Sequence, residues 1–231
     1  IAAQHPLVIL ALGQANAGNH GARAADAEVP IALIADGKCI MAVDPLPGGT
    51  GTGGSIWYRL PRHLVKLMPQ KNHRPIVISV LAVDATGIDE WTDEASPIRA
   101  HLAQQIKAMQ TLGLAPQLVL LQQGEADARD GTTESTYAAG LDKLASILDQ
   151  AGVTVPLVVA LSTVCRSEPN TAIRNAIEAK VAANPRFILG PDTDYDIHAG
   201  LRSDKCHFSA EGLNRAAQLW SQTLAPLVTK P

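Results

Sequence analysis

Four short polar blocks interrupt an otherwise apolar chain. They are Gly13-Gln14-Ala15-Asn16, Asp84-Ala85-Thr86-Gly87, Gln123-Gly124-Glu125-Ala126-Asp127 and Asp204-Lys205-Cys206-His207-Phe208-Ser209. Between them they hold an imidazole with a carboxylate three residues before it, further carboxylates, side-chain amides, and glycines whose backbone can approach a ligand closely. Groups of these kinds take and return protons and stabilise developing negative charge. Each block alone also has a plainer reading. Asp204 and His207 can be a solvated loop pair, Gln123 a strand-end side chain bonded to a carbonyl, Asn16 a helix cap, and Glu125 and Asp127 structural loop residues. No metal site is expected, because the histidines and Cys39, Cys165 and Cys206 lack the close pairing that zinc sites use. His5, His63, His73, His101 and His198 read as surface or satisfied polar groups, whereas His20, close to the first block, is a candidate for lining a pocket. The glycine-rich stretch from Gly48 to Gly54 lacks the Lys-Ser/Thr of a phosphate loop.

The elements that must position these blocks are legible as alternating apolar runs and helical patterns, the order expected of βαβ units around a parallel sheet. Buried strands are expected at Pro6 to Leu12, Ile76 to Val83, Leu118 to Leu121, Leu157 to Leu161 and Phe187 to Leu189, with a less regular short pair between Ile31 and Val43. Helices are expected over Ser55 to Met68, Pro97 to Leu112, Glu134 to Ala151, Asn170 to Ala183 and Ala210 to Val228. Thr132 or Thr133 and Ser209 are N-cap candidates, and Gly113 and Gly152 stand where helix ends favour glycine. Open sheets of this kind bind ligands beyond the carboxyl ends of their strands, which is where the first three blocks fall.

The chain of 231 residues fits one domain over 1–231. With 46% hydrophobic residues, only 3% aromatic, and a formal charge of −3, the core must be mostly aliphatic. That charge gives no case for nucleic acid or an anionic membrane as partner. No apolar run approaches the roughly 20 residues of a membrane-spanning helix.

Taken together and in this order, the blocks resemble the SGNH (GDSL-like) hydrolase superfamily, in particular its sialate O-acetylesterase and acetyl xylan esterase branch. That branch carries G-Q-S-N, G-G-T-x-I-x-x-W, Q-G-E-x-D and D-x-x-H-F-S. The second stands here as Asp84-Ala85-Thr86-Gly87-Ile88-Asp89-Glu90-Trp91. The expected fold is a three-layer α/β/α sandwich, flavodoxin-like, with a central mostly parallel sheet of about five strands. The resemblance implies a serine esterase releasing acetyl groups from a glycan or other small ester. His207 would be general base and Asp204 its orienting partner. The backbone N–H groups of Ala15 and Ala85 and the Gln123 amide would meet the oxyanion. Gln14, Asn16, Asp84, Gly53 and Glu125 would bind substrate or brace the site, and Asp44-Pro45-Leu46 with the glycine-rich loop would wall it. Trp57, Tyr58 and Trp91 would either stack on a sugar or pack in the core. No metal or organic cofactor is implied, since the serine mechanism draws its groups from the protein.

Two positions depart from the pattern. The nucleophile position is Ala15, whose methyl cannot attack a carbonyl, so the chain as written is expected to be inactive; losing a nucleophilic serine costs on the order of 10⁶ in turnover. Two origins fit: a serine replaced to trap substrate, or a natural carbohydrate-binding pseudoenzyme. The retention of His207, Asp204 and Gln123 favours the first. A lipase- or thioesterase-like member acting on longer acyl chains is a further reading. Secondly, Asp84-Ala85 replaces Gly-Gly, and Ala85 would be strained if its φ had to be positive. In the implied fold Cys165 and Cys206 reach the same edge of the sheet, where a disulfide would pin the D-x-x-H loop and imply a periplasmic or secreted location. Cys39 reads as a small buried hydrophobe. Nothing in the chain points to a particular protein partner.

Overall fold

The computed structural model describes residues 2–23 and 29–229. β1 (Leu7–Gly13) is buried at every position, as are β4 (Ile76–Ala82), β5 (Leu118–Gln122) and β6 (Leu157–Leu161). Strands hidden on both faces read as unbroken apolar runs, which is why these four stand out in the sequence. β2 (Ile31–Ala35), β3 (Lys38–Ala42) and β7 (Phe187–Asp192) are partly exposed and complete a seven-stranded sheet in the order β3-β2-β4-β1-β5-β6-β7. Every neighbouring pair is parallel except β2 with β3.

The two strands beyond the expected five are this edge hairpin. Its turn is Asp36-Gly37, with φ of 48° and 71°. Two positive φ values in an Asp-Gly pair are the favoured two-residue hairpin connection, so the signal was present in the sequence, masked by the short irregular apolar runs beside it.

Alternation along β1 divides the core. Leu7, Ile9 and Ala11 face a layer built by α1 (Ile56–Leu67) and α7 (Ala210–Val228). Val8, Leu10 and Leu12 face α3 (Pro97–Thr111), α5 (Glu134–Gln150) and α6 (Thr171–Ala183). Side-chain caps at Ser55, Ser96, Thr133, Asn170 and Ser209 each accept a hydrogen bond from the first turn they precede, satisfying donors that a helix start leaves without partners. Two short helices were not expected, α2 (Ile88–Thr92) and α4 (Glu125–Asp130). Both are too short to show a 3.6-residue period.

Gly13 is the hinge between sheet and site. It lies opposite Ala82 of β4 and Gln122 of β5, so the loops after three adjacent strands leave the sheet at one level. Its φ is 148°, and a Cβ there would sit 2.0 Å from the Gln122 carbonyl oxygen; only glycine allows that approach.

Candidate active site

The loop after β1 opens a single 3₁₀ turn at Ala15–Ala17, whose leading N–H groups have no partner within the turn. Ala15 is buried. Gln14 accepts the Ala126 N–H through Oε1 at 3.0 Å, tying this loop to the start of α4. Asn16 Nδ2 donates to Glu125 Oε1 at 2.8 Å and to the Cys206 carbonyl at 3.3 Å. Ala22 N–H donates to the Phe208 carbonyl at 2.9 Å, so the first loop is fastened to the loop before α7 on both sides of His207.

His207 is half-buried, and its Nδ1 lies 2.9 Å from Asp204 Oδ2. The other carboxylate oxygen, Oδ1, accepts the N–H groups of Cys206 at 3.0 Å and His207 at 2.7 Å. Partial burial opposes ionisation of Asp204, but the His207 N–H, the imidazole and the Cys206 N–H outweigh it and hold the carboxyl well below the usual range. Lys205 takes a φ of 66° between them, the bend that lets one carboxylate grip both backbone and ring. Arg166 reaches the same carboxylate at 3.1 Å. The expected disulfide joins Cys165 to Cys206, and Arg166 N–H donates to the Lys205 carbonyl at 2.9 Å. Cys39 is free and half-buried on the edge strand β3, not buried as expected.

The remaining expected residues divide sharply. Glu125 is fully enclosed; its Oε1 accepts from Asn16 and from Ser162 Oγ at 2.8 Å, while Oε2 has no partner. Burial pushes its carboxyl up to about 7, against those hydrogen bonds and the charge of Arg202. Gln123 is also fully buried. Its Nε2 donates to the Thr86 carbonyl at 3.0 Å and to Asp127 Oδ2, and its Oε1 accepts from Tyr137 at 2.8 Å. Two N–H hydrogens with two acceptors leave no donor for an oxyanion; in this geometry Gln123 braces the loops after β4 and β5. Ala85 has a φ of 60°, the left-handed conformation that favours glycine. Gly53 packs under the first loop, its N–H donating to the Asn19 carbonyl at 2.7 Å.

Asp84 is exposed, and its N–H donates to Thr50 Oγ1 at 2.9 Å. Thr50 Oγ1 also lies 3.2 Å from His20 Nε2. The His20 ring stacks on His207, with centroids 5.3 Å apart. Trp57 and Trp91 are completely buried and Tyr58 nearly so, so all three pack rather than stack on a sugar; Trp57 Nε1 donates to the Ala17 carbonyl at 2.7 Å.

Sequence reading missed Arg202, Asn19 and Thr50. Buried Arg202 donates to the carbonyls of Cys206, Thr193, Ile197 and Val164, binding the last loop to the sheet. Asn19 fastens the glycine-rich loop, donating to Leu46 and Gly49 carbonyls and accepting the Leu46 N–H. Most of their partners are backbone atoms, which leave no pattern in residue type.

A family model described as carbohydrate esterase, sialic acid-specific acetylesterase matches residues 58–225. The chain belongs to that carbohydrate esterase family. The matched span takes in Asp84, Gln123, Glu125, Asp204 and His207, and begins after the block that holds Ala15. No curated protein matches by sequence. Among solved structures, a protein from Arabidopsis thaliana aligns with a TM-score of 0.72 at 18% identity, covering 94% of this chain and 97% of that one. A carbohydrate acetylesterase from Xanthomonas citri aligns with 0.58 at 16%, covering 94% of this chain and 55% of that one. A Clostridium thermocellum family 3 carbohydrate esterase aligns with 0.61 at 14%, covering 96% and 97%. At these identities the likeness establishes the fold, that of the SGNH hydrolases. No helix among the described residues is long and apolar enough to cross a membrane.

Proposed function

We propose that this chain recognises an O-acetylated carbohydrate and that its serine form hydrolyses the acetyl ester. The observation that carries the reading is the Asp204–His207 pair, with Nδ1 held at 2.9 Å on a loop fastened at both sides to the loop bearing Ala15. An imidazole bonded through Nδ1 keeps Nε2 for a substrate-side proton. In the serine form Nε2 takes the proton of the hydroxyl at position 15 as its oxygen bonds to the acetyl carbon, then returns it to the departing sugar oxygen. Water repeats the exchange and releases acetate. The backbone N–H groups of Ala15 and Ala85 are the oxyanion donors this reading assigns, with Gln123 holding the loop of Ala85 through Thr86. With Ala15 in place the serine route is closed. The Cys165–Cys206 disulfide supports a periplasmic or extracellular setting, where such bonds persist.

The test is Ala15→Ser in the full chain, assayed for acetate release from 4-nitrophenyl acetate, acetylated xylan and O-acetylated sialic acid in the presence of a chelator. Turnover is expected to rise by about 10⁴-fold or more over the alanine chain. A folded Ala15→Ser protein that releases no acetate overturns the esterase reading and leaves the carbohydrate-binding one.

A further inference from the structure

Three side chains from three separate loops converge. One ligand atom each from His20, Asp84 and His207 lies within 4.8 Å of the others, and among the described residues no other set of three histidine, cysteine or acidic side chains does so. Their sequence numbers differ by 64 and 123 (84 − 20 and 207 − 84), which explains why no metal-ligand spacing is visible in the chain.

The ring spacing leaves room for a shared ion. Two imidazoles bound to one tetrahedral zinc at about 2.0–2.1 Å place their ring centres about 3 Å from the metal and hence about 5 Å from one another. The observed separation is 5.3 Å, with planes inclined by 26°. The supporting contacts also match. His207 gives Nδ1 to the Asp204 carboxylate, the pairing that fixes a metal-binding imidazole and raises the basicity of its other nitrogen. The Thr50 hydroxyl joins His20 to the backbone of Asp84 and so sets those two side by side.

We propose that His20, Asp84 and His207 form a three-ligand site for a divalent ion of the Zn²⁺ class, with a fourth position open to water. Two imidazoles, one carboxylate and an open position are the donor set of hydrolytic zinc sites. The chemistry balances without any redox partner. Bound water loses a proton to solvent, its acidity raised toward a pKa of about 7. Its oxygen bonds to the ester carbonyl carbon, the bond from that carbon to the sugar oxygen breaks, and the sugar oxygen takes a proton from solvent. Ester and water become carboxylic acid and alcohol. The ester as substrate rests on the function proposed above; the metal site does not.

The experiment uses the full native chain stripped with a chelator and dialysed. Zn²⁺ is titrated by calorimetry, and Co²⁺ is followed by its visible absorption. One ion per chain is expected, with His20→Ala and Asp84→Asn each weakening binding at least about tenfold and His63→Ala, whose ring bonds Asn214, binding as the native chain does. Absence of saturable binding, or equal affinity in folded His20→Ala and Asp84→Asn, overturns the site. Zn²⁺-loaded native chain is expected to release 4-nitrophenol from its acetate faster than loaded His20→Ala; equal rates overturn the water-activating role. Ala15→Ser assayed in chelator tests the serine route alone, so the two readings can fail separately.

Discussion

Glu125→Gln is expected to remove a pH dependence of stability that the native chain carries. The Glu125 carboxyl is raised by burial to about 7 from 4.5, and one of its oxygens has no hydrogen-bond partner. Between those two values the folded chain holds a proton that the unfolded chain releases. Stability therefore falls as pH rises from about 4.5 to 7, and levels off above. One pH unit of difference is about 1.4 kcal/mol, so the full span is about 3 kcal/mol. Glutamine keeps an oxygen to accept from Asn16 and Ser162 and carries no charge. The gap in stability between the variant and the native chain should grow from its value at pH 4.5 by about 3 kcal/mol at pH 8, or roughly 6–12 °C in Tm for a chain of this size. Other carboxylates titrate equally in both proteins and cancel in the difference. Denaturant melts of the two proteins at several pH values between 4.5 and 8 measure it. Parallel profiles over that window would refute the reasoning.

Two further outcomes follow from backbone and cross-link. Ala85 sits at a φ of 60°, a conformation that costs a non-glycine residue about 1–2 kcal/mol. Ala85→Gly relieves this against about 0.5–1 kcal/mol of unfolded-state entropy, so it should be neutral or slightly stabilising in a thermal melt, while Ala103→Gly on exposed α3 should lose about 1 kcal/mol. A loss at Ala85 equal to that at Ala103 contradicts the strain. The Cys165–Cys206 link spans 41 residues of chain, for which loop-closure entropy gives about 4 kcal/mol. Cys165→Ser with Cys206→Ser should lower the denaturant midpoint accordingly, and a midpoint insensitive to both the double substitution and reductant would show that the link does not bear on stability.

The fold was legible where the physics was local. β1, β4, β5 and β6 are buried on both faces and so appear as apolar runs, and the helix caps Thr133 and Ser209 sit one residue before their helices. The order of strands was not legible, because β1 bonds to β4 and β5 through residues 69 and 109 positions away (76 − 7 and 118 − 9). At the site, residue types announced which blocks mattered but not what each atom does. Gln123 has the amide an oxyanion donor needs, yet Tyr137, Thr86 and Asp127 consume it. His20 stood out from the other histidines only by its closeness to the first block; its partners Thr50 and His207 are not legible in the chain.

The same contacts change what the surviving residues say about Ala15. Retention of Gln123, Asp204 and His207 favours a recently replaced serine only if those residues have no other work. Gln123 has a structural role, since it is buried and fully bonded among Thr86, Asp127 and Tyr137. Asp204 has one too, since its carboxylate caps two backbone N–H groups of the disulfide-linked loop. Folding alone therefore accounts for both, whatever stands at position 15. His207 differs. Its backbone is held in the loop by Asp204 and Ser203, while its ring bonds Asp204 and lies against His20. Two uses are open to that ring: a hydroxyl restored at position 15, and an ion shared with His20 and Asp84. Metal titration of the native chain and the Ala15→Ser assay in chelator decide between those two uses of one ring.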